Sequence, residues 1–187
     1  MNLPNRITIL RILLIPVFVI ALAYYQVGKD WLRFFALGIF SLAVFTDALD
    51  GFFARTMGKR TKLGACLDPL ADKLLLDVSF ILLVTTESLP RQLPFWLPVV
   101  VISRDVILLL GSVLIFIVVG DLKVQPSVLG KVTTVFQMGT VIFTLLNIPF
   151  GLLLTIWILT LGLTIVSFFD YILKGSHLLN ENKVQTL

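Results

Sequence analysis

Long uninterrupted apolar runs dominate this chain and leave it few folds. A helix needs about 17 to 25 apolar residues to cross the hydrocarbon of a bilayer. By that criterion the chain holds about six spans: Ile7–Tyr25, Leu32–Ala54, Pro69–Thr86, Pro94–Val119, Val128–Leu146 and Phe150–Leu173. The runs are continuous, without the inside–outside alternation of a membrane barrel. Only a helix satisfies its own backbone polar groups within hydrocarbon. Charged residues make up 14% of the chain and hydrophobic ones 58%, whereas soluble domains are about a quarter charged. The expected fold is therefore all-α, one integral membrane bundle of about six transmembrane helices over residues 1–187. Gly28, Pro90, Pro94, Gly120, Pro126 and Pro149 fall where loops belong. The polar tail from Lys174 to Leu187 is expected at the surface or frayed.

The cations orient the bundle. Arg6 and Arg11 flank the first span, and Arg55, Lys59, Arg60 and Lys62 follow the second. Lys123 and Lys131 lie after the fourth, and Lys174 and Lys183 beyond the sixth. The opposite side carries Lys29, Arg33 and Arg91. The positive-inside rule then makes both termini cytoplasmic. A net charge of +4 placed beside apolar spans fits anionic headgroups or phosphorylated substrates rather than nucleic acid. Arg6 and Arg11, an apolar stretch and Ala21-Leu22-Ala23 also resemble a cleavable leader. Cleavage would leave an odd number of spans against the parity of the charges, so the first span is expected to be retained. The single cysteine, Cys66, forms no internal disulfide and leaves the redox compartment open.

Of 11 acidic residues, five fall between Asp47 and Asp77, at the end of one apolar span and the start of the next. Ionisable groups at membrane depth are costly and usually functional. Asp47 and Asp50 are three apart and Asp68 and Asp72 four apart, so each pair shares a helix face. Two antiparallel helices joined by a short loop would bring the pairs together. Converging carboxylates in a low-dielectric site stay ionised only beside cations. An all-oxygen donor set selects Mg²⁺, Mn²⁺ or Ca²⁺ over zinc, and two ions suit a phosphoryl displacement. Gly51, Ala54 and Gly64 would let a bulky ligand approach the backbone. Arg55 is suited to phosphate oxygens. Structural alternatives exist for single residues: Asp68-Pro69 reads equally as a helix cap and first helical position, and the small residues as helix-packing positions. Neither alternative accounts for four acids.

Asp47, Asp50-Gly51, Ala54-Arg55, Gly64, Asp68 and Asp72, at these spacings, resemble the full signature of the CDP-alcohol phosphatidyltransferase family, with every fixed position filled. The resemblance implies a six-helix membrane enzyme that transfers a phosphatidyl group from CDP-diacylglycerol to an alcohol and releases CMP. It implies that Asp47, Asp50, Asp68 and Asp72 hold Mg²⁺ or Mn²⁺, two ions in all, with Asp72 also the general base. Gly51, Arg55 and Thr61 would contact the CDP moiety. Pro4-Asn5-Arg6-Ile7-Thr8 is similar to the family's opening segment, which would place Asn5 and Thr8 beside the nucleotide, although it reads equally as a helix start.

Two residues outside the motif concern the acceptor. Arg104, in the fourth span, and Lys131, opening the fifth, would receive a phosphate on the acceptor; the alternative for Arg104 is an ion pair with Asp105 or across helices. The opening residues and Gly130-Lys131-Val132-Thr133-Thr134 resemble family members that use glycerol 3-phosphate. Ser103-Arg104-Asp105-Val106 and Pro126-Ser127 resemble members that use phosphatidylglycerol and form cardiolipin. The expectation is glycerol 3-phosphate. Asp77 with Lys73 and Asp170 with Lys174 are expected to pair within their helices. A homodimer is an arrangement open to so small a membrane domain. Two rivals are a prenyltransferase, whose acidic motifs would be two and well separated, and a cation transporter, for which no repeat appears.

Overall fold

The computed structural model describes the backbone of residues 3–57, 62–119 and 127–185, and the side chains of residues 9–47, 73–111, 113 and 127–174. Six helices occupy the described residues, and no strand does: α1 (Leu3–Ala23), α2 (Asp30–Met57), α3 (Lys62–Thr85), α4 (Trp96–Val119), α5 (Val128–Leu146) and α6 (Phe150–Gln185). α5 and the Phe150–Lys174 part of α6 are long and apolar enough to cross a membrane, with mean hydropathies of 1.4 and 2.3.

Turn chemistry sets the ends. The α1–α2 connection passes through Gly28 at φ 91°, a conformation that costs glycine no Cβ clash. The Tyr25 hydroxyl then donates to Asp30 Oδ1 at 3.1 Å, at the start of α2. Ser127 caps α5 by accepting from the Gly130 N–H at 3.0 Å. Asn147, left-handed at φ 54°, closes α5 by donating its N–H to the carbonyls of Phe143 and Thr144. Pro149 follows directly, so the chain turns at once into α6. On that side Arg91 donates to the Ile148 carbonyl and lies 6.0 Å from the Phe150 ring centroid, tying the α3–α4 connection to the α5–α6 turn.

Two boundaries differ from the sequence reading. α3 opens at Lys62, so Asp68-Pro69 lies inside the helix and not at its cap. Proline within a helix gives up one i→i−4 bond and crowds the preceding turn, yet α3 runs through Pro69 unbroken. The tail beyond Lys174 is not frayed: α6 stays helical through Gln185. Polarity ends a membrane span but not a helix, and no proline follows Pro149.

α1 packs against both α2 and α3, α3 against α4 and α5, α2 against α5, and α6 against α4 and α5. Phe18, Leu22, Ala36, Phe40, Leu76, Phe80, Leu83, Leu97 and Leu145 form the buried interior. Phe18 and Phe40 tilt together with centroids 6.0 Å apart. The α5–α6 seam is polar: Thr133, Thr140, Thr144, Thr160, Thr164 and Ser167 are buried. Thr140 and Thr160 hydroxyls meet at 2.8 Å, and Thr144 and Thr164 each donate to the carbonyl four residues back. The Trp157 indole donates to Thr144. Leu152, Ile158, Val166 and Phe169, on the outside of α6, are exposed. Along this seam alone, polar side chains face inward and apolar ones outward, the reverse of a water-soluble helix pair.

In detergent micelles Phe40→Ala should lower stability more than Thr160→Val. The ring deletion forfeits packing contacts worth about 3–5 kcal/mol, whereas an interhelical hydroxyl bond in a membrane bundle averages about 0.6 kcal/mol. Thermal unfolding of both variants checks the order.

Candidate active site

The acidic motif occupies the two helices that share α1 as a neighbour. Asp47, Asp50, Gly51, Ala54 and Arg55 all fall on α2, and Gly64, Asp68 and Asp72 on α3. Because neither helix breaks across its motif, positions 47, 50, 51, 54 and 55 form one stripe and 64, 68 and 72 another. The early start of α3 matters here: had it begun at Pro69, Asp68 would stand outside the helical register of Asp72. Asn5 and Thr8 lie on α1, whose second residue is Pro4; the opening segment is a helix start, and the same helix packs on both acid-bearing helices. Thr61, with Lys59 and Arg60, lies outside the described residues, as do the side chains of Asp50, Asp68, Asp72, Gly51, Arg55, Asn5 and Thr8.

Among the acids of the motif, the side chain of Asp47 is described. Its Oδ1 lies 3.1 Å from Arg11 Nη2, with Arg11 1% and Asp47 33% exposed. Arg11 therefore does not serve as a solvated flank charge. It is a buried cation of α1 that compensates part of the acidic cluster. Its position about one turn inside the apolar run from Ile7 was the available signal, since an ionisable residue there points to a partner. A carboxylate can keep one oxygen on a guanidinium and offer the other to a metal, so Asp47 still fits a hard-cation ligand set. Among the described residues no group of three His, Cys, Asp or Glu could hold a metal; three of the four expected ligands, Asp50, Asp68 and Asp72, have side chains outside those residues.

A second charged cluster lies next to the motif. Lys73, the residue after Asp72, reaches α4 and bonds Asp105 Oδ2 at 2.6 Å rather than pairing with Asp77. Arg104 Nη1 bonds Asp105 Oδ1 at 2.6 Å, and Arg104 Nη2 donates to Ser167 Oγ on α6 at 2.7 Å. A Cβ added to Gly130 would stand 3.5 Å from Arg104 Nη2, which places the guanidinium at the first turn of α5; Lys131, the next residue, is exposed. The structure thus realises the Arg104–Asp105 pair and adds Lys73 and Ser167, which sequence reasoning missed. Among the described residues Arg104 Nε is buried without a hydrogen-bond partner. Asp170 and Lys174 pair as expected, at 2.8 Å. A groove of about 470 Å³ lined by Ala21, Tyr24, Lys29 and Trp31 lies at the other end of the α1–α2 hairpin and has no part in this site.

Comparison with known proteins agrees with the motif. Residues 1–168 match the family described as CDP-alcohol phosphatidyltransferase. The chain is 36% identical over 190 residues to the CDP-diacylglycerol–glycerol-3-phosphate 3-phosphatidyltransferase of Bacillus subtilis, covering 93% of this chain and 95% of that protein. It is 34% identical over 181 residues to the enzyme of the same name from Aquifex aeolicus, covering 94% and 96%. Human cardiolipin synthase (CMP-forming) is 40% identical over 109 residues, covering 58% of this chain and 33% of that protein.

A double-mutant cycle over Arg11→Met and Asp47→Asn should give a coupling of about 1–3 kcal/mol, since one partner is buried and the other a third exposed. Unfolding in micelles measures it. Additive single effects would dissolve the pair.

Proposed function

The chain belongs to the CDP-alcohol phosphatidyltransferase family, and from that premise we propose that it transfers a phosphatidyl group from CDP-diacylglycerol to glycerol 3-phosphate, releasing CMP and forming phosphatidylglycerophosphate. The observation that carries the choice of acceptor is coverage. Relatives whose name specifies glycerol 3-phosphate align over nearly the whole of both chains.

In this reading Asn5, Thr8, Gly51, Arg55 and Thr61 hold the CDP moiety, glycine by admitting it close to the backbone and arginine by pairing with phosphate oxygens. Divalent cations, Mg²⁺ or Mn²⁺ and two in number, when bound by Asp47, Asp50, Asp68 and Asp72, neutralise negative charge on the pyrophosphate. Asp72 takes the proton from the acceptor hydroxyl, whose oxygen then attacks the β-phosphorus in line with the departing CMP oxygen. Arg104, through its unpartnered Nε, and Lys131 receive the phosphate of the acceptor and hold the hydroxyl near Asp72. Binding of that kind turns an encounter between two substrates into a step within one complex.

The bundle is read as multi-pass, with both termini and the site at the cytoplasmic face. Depth supports this. Ser167 stands 17 residues beyond Phe150, about 26 Å along α6, close to the far edge of a hydrocarbon slab about 30 Å thick. Arg104, bonded to Ser167, shares that level, where a water-soluble phosphate can reach it while the acyl chains stay among apolar helix faces.

A second acceptor is favoured by one observation: Ser103-Arg104-Asp105-Val106 resembles the cardiolipin-forming branch, to which the human relative belongs. The test uses purified protein in micelles with CDP-diacylglycerol, offered glycerol 3-phosphate or phosphatidylglycerol separately, with CMP and the lipid product identified. Glycerol 3-phosphate should support turnover and phosphatidylglycerol should not; cardiolipin as the product would reverse the assignment. In the same assay Asp72→Asn should reduce kcat by about a hundredfold or more, while near-normal transfer by a folded variant would remove the proposed base.

A further inference from the structure

Lys73, Arg104, Asp105 and Ser167 come from α3, α4 and α6 and meet beside the first turn of α5. The Asp105 carboxylate is divided between two cations, Oδ1 to Arg104 and Oδ2 to Lys73, both at 2.6 Å. Asp105 is 4% exposed, Arg104 6% and Lys73 31%. Ser167 Oγ takes the other terminal nitrogen of Arg104 at 2.7 Å. The guanidinium is thus held at both terminal nitrogens, which fixes its plane, and among the described residues its Nε is buried without a partner. Ion networks at such burial add little net stability, because desolvation offsets the Coulomb attraction and apolar replacements often serve as well. What such an arrangement does supply is orientation. A planar fork held at two points presents its remaining N–H groups in one direction, as recognition of a phosphate requires.

We propose that Asp105 and Ser167 are positioning residues for the acceptor: they orient the Arg104 guanidinium toward the acceptor phosphate, and Asp105 also ties Lys73, next to Asp72, to that arginine. This rests on the reading of Arg104 as an acceptor-binding residue. The two positions differ in reach. Ser167 touches Arg104 on the far side from α3, so its loss disturbs acceptor binding alone. Asp105 joins the acceptor arginine to the helix that carries the proposed base, so its loss disturbs binding and the chemical step together.

The experiment measures CMP release by the purified full chain in micelles, with glycerol 3-phosphate and CDP-diacylglycerol varied in turn. Ser167→Ala should raise KM for glycerol 3-phosphate about five- to twentyfold, the loss of one hydrogen bond to a charged group. Its kcat and its KM for CDP-diacylglycerol should stay within about twofold of the unaltered protein. Ser167→Thr, which keeps the hydroxyl, should bring the acceptor KM back to within about threefold. Asp105→Asn should raise the acceptor KM and lower kcat about tenfold or more. If Asp105→Asn fails to fold, the Ser167 pair decides. A merely structural staple would lower the melting temperature and leave both KM values and kcat of the folded fraction unchanged, which overturns the inference. Arg104→Gln separates the two levels. If it raises the acceptor KM and Ser167→Ala does not, positioning fails and the acceptor reading stands; if it leaves the acceptor KM unmoved, both fall.

Discussion

A charge buried among apolar side chains must find its opposite, and that requirement organises this bundle. Arg11 reaches from α1 to Asp47 on α2, Lys73 from α3 to Asp105 on α4, and Arg104 from α4 to Ser167 on α6. Each link crosses a helix boundary, so each fixes how far one helix is shifted along the next. An isolated ion moved into such surroundings costs several kcal/mol, far more than sliding a smooth apolar helix by one turn. The apolar contacts drive association; the charged ones choose the register.

That register is what assembles the site. Lys73 follows Asp72, and Arg104 lies level with the start of α5, so pairing through Asp105 brings the acidic end of α3 to the end of α5 that carries Lys131. The α5–α6 hydroxyl seam extends the same logic with neutral groups. Thr140 meets Thr160, and Trp157 meets Thr144, which holds α6 against α5 and so places Ser167 opposite Arg104. Outside the seam the apolar faces of α6 can meet lipid without stranding a polar group.

The helices were legible because apolar length is a property of the chain itself. All six expected spans begin or end within a few residues of a helix, among which α5 and α6 are long and apolar enough to cross a membrane, and the acidic motif was legible from its spacing alone. What escaped was pairing. Lys73 with Asp77 looked natural at one helical turn, yet Lys73 goes to Asp105, 32 residues away, a buried carboxylate on another helix that no local spacing reveals. Arg11 looked like a flank charge because counting cations beside spans ignores which face they take. Ser167 carried no signal at all; one serine in an apolar helix is unremarkable until a guanidinium lies against it.

Local periodicity and composition are enough to make the chain helical, apolar on a membrane scale, and armed with four carboxylates at helical spacing, because each of these is a property of residues close together in the chain. Only the tertiary structure decided where the helices begin, which cation answers which carboxylate, and that Arg104 is held between Asp105 and Ser167. Those outcomes depend on which helices become neighbours, and ion pairs across helices form between residues that are near in space and distant in the chain.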